Sequence, residues 1–163
     1  MQRYEAVPII QELLDKHNFG HIRIVWNSKR RGIAHVLFST DCSGKYQIEE
    51  LSISKFFIYL NDEQKIREVA LHEIAHMYAG CDGRHHGRKW QLWAMKLGVP
   101  TTATTKAEMA KGRYKGTCPN CGKVYYKHRA GKHVKRPGWK CKSCGGKFNF
   151  VDTGTITVLK KRV

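Results

Sequence analysis

The chain has 163 residues, 41% hydrophobic and 26% charged, which suits one ordinary domain or a small one with an appendage. No run approaches the roughly 18 apolar residues that span a bilayer. Residues 1–16 mix charge with apolar positions and form no secretory signal, so an intracellular protein is expected, cytoplasmic or associated with a nucleoid or nucleus.

The formal charge of +17 is unevenly placed. Residues 1–110 hold 15 Lys/Arg against 12 Asp/Glu, whereas residues 111–163 hold 15 against Asp152 alone. A basic surplus confined to one third of the chain points to a polyanion, with nucleic acid first. The basic positions do not lie along one amphipathic helix, which argues against a membrane surface.

In chain order, Val7, Ile10, Leu13 and Leu14 recur at helical spacing in residues 4–16, and Asn18-Phe19-Gly20 ends that helix. Residues 21–26 alternate as a strand, 27–32 read as a basic hairpin loop, 33–39 as a second strand and 48–53 as a third. Residues 56–60 are apolar and β-prone. Asn61 or Asp62 then caps a helix over 62–79, with Ile66, Val69, Ala70, Ile74 and Met77 on its core face. Gly80 and Gly83 break it, and a further helix over 86–97 carries Trp90 and Trp93. Residues 101–116 lack a clear period and read as a linker. Residues 117–163 read as short strands between glycines.

His72-Glu73-Ile74-Ala75-His76 carries the chemistry. On a helix, positions i and i+4 share one face, so both imidazoles can ligate one metal ion, and Glu73 can reach a water at that ion without being a ligand. Catalytic zinc keeps three protein ligands and one open position. His86, past the Gly80…Gly83 reversal and in front of Gly87, supplies the third; His85 is its rival. Glu108 is a weaker alternative, since it sits in the linker. A metzincin spacing fails, because Ala79 and Asp82 stand where it needs Gly and His.

His72-Glu73-Ile74-Ala75-His76 followed by His86-Gly87-x-x-Trp90 resembles the SprT-like metalloprotease family, which includes Spartan. The resemblance covers residues 5–100 in layout. It implies an α+β, zincin-like core: an N-terminal helix, a small three-stranded antiparallel or mixed sheet, the His/Glu helix and a following helix. It also implies zinc on His72, His76 and His86, with Glu73 as general base, and proteins crosslinked to DNA as substrate. Some members carry a C-terminal zinc ribbon.

Cys118-Pro119-Asn120-Cys121 and Cys141-Lys142-Ser143-Cys144 are two C-x-x-C knuckles with 19 residues between them, a structural zinc signature. Gly122 and Gly145 follow them where a positive φ is needed. A redox role would want a βαβ pattern that is absent. Cys42 and Cys81 read as inert small side chains. Around the knuckles, Lys123, Lys127, Arg129, Lys132, Lys135, Arg136, Trp139 and Lys140 are expected to meet nucleic acid: cations neutralise phosphates, and aromatic faces stack on unpaired bases. Tyr125, Tyr126 and Phe148 stand among them, some required as core.

The expected organisation is a metalloprotease domain over 1–100, a linker over 101–116 and a ribbon over 117–163, in a monomer holding two Zn2+ ions. The expected function is a zinc endopeptidase acting on DNA-bound protein. A non-enzymatic nucleic-acid-binding zinc protein is the alternative. A metallohydrolase of small substrates is a third reading, and would be indifferent to DNA.

Overall fold

In the computed structural model, residues 1–30, 32–80, 86–102 and 107–154 are described, and the chain divides into two compact units between Met109 and Ala110. Helix α1 (Arg3–Lys16) opens the first unit. Gln2 and Glu5 cap it reciprocally, and it buries Ala6, Ile10, Leu13 and Leu14. Asn18, at φ 63°, turns the chain out of it.

Three strands follow: β1 (Arg23–Asn27), β2 (Ala34–Thr40) and β3 (Tyr46–Ser54). Their order is β1-β3-β2, with β1 parallel and β2 antiparallel to β3. The chain leaving β1 therefore crosses to the far edge of β3, and β1 and β2 do not form the hairpin that the alternation suggests. The physical reason lies in β3, whose last four residues, Leu51 to Ser54, are all buried. The most deeply buried strand takes the centre and leaves β1 and β2 as edges. Two buried serines tie the crossover to it: Asn27 donates to Ser52 Oγ at 3.0 Å, and Ser54 Oγ donates to the Lys29 carbonyl at 2.6 Å.

The β-prone stretch 56–60 is also a correction, since it forms helix α2 (Lys55–Leu60). Phe57 and Ile58 are buried as neighbours, which a helix turn allows and a half-buried strand, alternating its faces, does not. Asn61 closes α2 by donating to the Phe57 carbonyl at 2.8 Å.

Helix α3 (Glu63–Ala79) starts at Asp62, whose carboxylate accepts the Lys65 N–H at 2.9 Å, and ends at Gly80, at φ 72°. It presents two apolar stripes. Ile66, Val69, Ala70, Ile74 and Met77 join α1, β3 and α2 in the main core. Ala75, with Leu71 and Ala79 beside it, faces helix α4 (Arg88–Lys96) through Trp90 and Ala94.

The second unit holds a three-stranded antiparallel sheet, order β5-β4-β8, of β4 (Tyr114–Thr117), β5 (Val124–Lys127) and β8 (Val151–Asp152). It also holds the short helix α5 (Lys132–Lys135) and the ladder of β6 (Trp139–Lys140) with β7 (Lys147–Phe148). The stretch read as a linker thus ends inside β4. The whole is a mixed α+β protein with small sheets. Among the described residues no helix is long and apolar enough to cross a membrane.

Candidate metal centres

His72 and His76 leave α3 on one face, one turn apart, between the stripe that meets α4 and the buried Glu73. His86 stands just before Gly87, the N-cap of α4. Its Nε2 lies 3.2 Å from Nε2 of His72 and 3.2 Å from Nε2 of His76. Four-coordinate zinc with Zn–N near 2.05 Å sets ligand nitrogens about 3.3 Å apart. The three imidazoles therefore fit one such ion, and all three residues are half-buried.

Trp90 holds the group together. It is 1% exposed, its ring lies 4.7, 5.4 and 4.4 Å from those of His72, His76 and His86, and its Nε1 donates to the His72 carbonyl at 3.4 Å. Burial, and then the charge of His86, pushes the His72 pKa down to about 4. The ring is thus neutral at physiological pH, the form that ligates metal.

Glu73 is 6% exposed, on the side of α3 that meets edge strand β2. Burial pushes its pKa up to about 8, opposed by the N–H of Val36, which donates to the carboxylate. A dication nearby would favour the charged form again. The Val36 contact was not legible in the sequence, since it depends on β2 lying at the sheet edge. Of the weighed alternatives, His85 lies outside the described residues, with Cys81 and Gly83. Glu108 is tied to Asn61 by two main-chain hydrogen bonds of 2.8 and 3.0 Å and is not part of the histidine group.

The four cysteines of the second unit also converge, with Sγ atoms of Cys118 and Cys144 3.4 Å apart and those of Cys121 and Cys141 3.6 Å apart. Tetrahedral zinc with Zn–S near 2.3 Å spaces sulfurs by about 3.8 Å, so a small expansion around an ion fits the set. The two knuckles repeat one backbone pattern. Cys118 N–H donates to the Lys123 carbonyl and Cys141 N–H to that of Gly146. Gly122 and Gly145 then return N–H groups to the two cysteine carbonyls. Gly122 and Gly145 have φ of 69° and 73°, the conformation this turn requires.

Tyr125 is part of this centre. Its hydroxyl donates to Cys141 Sγ at 3.1 Å and accepts the Lys142 N–H, and its ring stacks on Phe148. That hydroxyl, more than the N–H groups of Ser143 and Cys144, holds the Cys141 thiol down to about 6 against burial. Of the residues expected to meet nucleic acid, Lys123, Arg129, Lys132, Lys135, Arg136 and Lys140 are exposed. Lys127 and Trp139 are half-buried and face each other, the ammonium 4.8 Å from the ring centre. Tyr126 is the exposed aromatic of β5.

The model of the SprT-like family matches residues 8–110, a span that contains Glu73 and all three histidines. The chain belongs to the SprT-like family. This is a family of metallopeptidase type. No curated protein and no solved structure matches the chain. The SprT-like match ends at the start of the second unit, so the four-cysteine module lies outside it.

Proposed function

We propose that this SprT-like chain is a zinc-dependent endopeptidase that cuts proteins at or crosslinked to DNA, with a zincin-like catalytic unit and a basic zinc ribbon that holds DNA. The observation that carries the reading is the pair of 3.2 Å spacings that bring Nε2 of His86 to those of His72 and His76, two histidines on the helix that buries Glu73. Zinc on His72, His76 and His86 would polarise a peptide carbonyl and make a water acidic enough to lose its proton near neutral pH.

Glu73 acts as general base and then general acid. Its carboxylate accepts the proton from the attacking water and returns it to the amine of the departing peptide. The Val36 N–H restrains the carboxylate, and the packed Trp90 keeps the ligand rings from swinging away. In the second unit, a second zinc on Cys118, Cys121, Cys141 and Cys144 would be structural, since four thiolates leave no open position. The exposed lysines and arginines there, opposed among the described residues of the unit only by Asp152, support binding to phosphates.

The decisive comparison is wild type against Glu73→Gln, in DNA-stimulated cleavage of a DNA-binding protein. The variant is expected to keep its metal and lose about 10²- to 10⁴-fold in rate; equal cleavage by both would remove Glu73 from the mechanism. DNA affinity is expected to fall steeply with salt, with a log–log slope of about −0.9 for each phosphate neutralised on duplex DNA. A flat profile would sink the electrostatic account of the ribbon. Tight DNA binding without turnover, and one zinc per chain instead of two, would favour a non-enzymatic binder.

A further inference from the structure

We propose that Tyr78 and Trp93 form a clasp that positions His86, and so sets the metal affinity of the three-histidine group; this rests on reading that group as a metal centre. Helix α4 has nine residues and buries only two of them, Trp90 and Ala94. Trp90 grips the helix at the histidines. Ala94 adds only a small side chain against α3, so fixing the direction of so short a helix asks for a further, bulky contact.

That further contact is the ring of Tyr78 lying flat on the ring of Trp93, centroids 4.1 Å apart and planes 12° from parallel. Tyr78 is itself oriented from α1. Its hydroxyl donates to the His17 carbonyl at 3.1 Å and lies 3.3 Å from His17 Nδ1, and its ring meets the edge of Phe19. The Lys96 ammonium sits 4.5 Å from the centre of the Trp93 ring. A chain of contacts thus runs from the end of α1, through the end of α3, to the last turn of α4.

The lever is short, and the tolerance is shorter. Along α4, Trp93 lies roughly 4.5 Å beyond Trp90 at 1.5 Å rise per residue, and His86 precedes the N-cap Gly87 on the other side of Trp90. A tilt of α4 about Trp90 therefore moves the start of the helix, and the His86 that precedes it, whenever Trp93 slips. Metal–ligand distances tolerate about 0.2 Å. Tyr78 touches neither metal nor substrate in this account, which makes it a positioning residue.

The test measures metal binding to the full chain by chelator competition, with Co2+ replacing Zn2+ to separate the two centres. Thiolate-to-cobalt charge transfer reports the cysteines, and the weak visible bands report the histidines. Tyr78→Phe keeps the stack and is expected to bind within about threefold of wild type. Tyr78→Leu and Trp93→Leu remove the stack while keeping apolar bulk. Each is expected to weaken the histidine centre about 10- to 100-fold, the range seen when outer-shell support of a metal is lost, and to change its visible bands.

The cysteine centre serves as the internal reference and should not move. Wild-type affinity in either leucine variant that retains its circular dichroism overturns the clasp. So does an equal loss in Tyr78→Phe, which would assign the effect to the hydroxyl. A wild-type chain that takes up one ion, on the cysteines alone, overturns the metal-centre reading itself and the clasp with it.

Discussion

The three histidines stand on or beside helices that a core already holds, whereas two of the four cysteines make up most of the buried core of their own unit. In the first unit, α1, β3, α2 and α3 contribute to one continuous buried cluster, and the three half-buried histidines are not among its members. In the second unit the buried cluster is Cys118, Cys141 and Phe148, two cysteines and one ring. The difference teaches what a metal ion would do in each place. A preformed scaffold can lose an ion and keep its shape, but a module of this size with one buried aromatic cannot bury enough apolar surface to fold alone.

Chelation gives the largest expected contrast. Removing metal should unfold the second unit, while the first keeps its helical circular dichroism and cooperative melting. Cys141→Ser should reproduce that pattern without chelator. Amide dispersion by NMR checks both, and a metal-free second unit with native dispersion would break the comparison.

A smaller effect probes how little slack the second unit has. Gly116 in β4 lies against Phe148, and a Cβ there would run into the ring. Gly116→Ala should cost about 1–3 kcal/mol through overpacking. The loss should appear as weaker retention of the cysteine-bound metal in competition with a chelator, and unchanged retention would show that the ring has room to move.

The smallest effect concerns charge in the first unit without metal. Glu73 keeps its proton up to about pH 8, whereas in the unfolded chain it loses it near the ordinary carboxylate value. Between those two pH values the folded state binds more protons than the unfolded one, so stability falls as pH rises through this window. His72, with a depressed pKa, acts in the other sense: its contribution rises with pH, and only up to its ordinary value of 6.5. Between about pH 7 and 8 the Glu73 slope therefore stands clear. The metal-free melting temperature should drop by a few °C across that interval, and Glu73→Gln should flatten it. An equal drop in the variant would assign the slope to other groups.

Much of this was legible in residue spacing. The stripe of Ile66, Val69, Ala70, Ile74 and Met77 is buried along its length, because helical period and burial are the same statement for an amphipathic helix. The convergence of His72 with His76 follows from the rise of one turn, and the paired knuckles followed from C-x-x-C with its trailing glycine. Residues 56–60 were misread because a run of apolar residues has no period, and a short helix and a buried strand look alike in it.

Strand order was likewise out of reach, since alternation says which side of a strand is apolar but not which strand takes the middle. Tyr125 could not be assigned from composition either. Stacking on a base and a hydrogen bond to a thiolate ask for the same side chain, and only its neighbours Cys141 and Phe148 decide between them.

Sequence by itself determined which side chains can bind metal and on which local frame, because a helical turn and a knuckle are set by contacts within a few residues. Tertiary structure alone decided that His86 comes within 3.2 Å of two histidines ten and fourteen residues away, that an edge strand reaches Glu73, and that Tyr78 lies flat on Trp93. Those placements come from how helices and a sheet share one core, a distance no local pattern encodes.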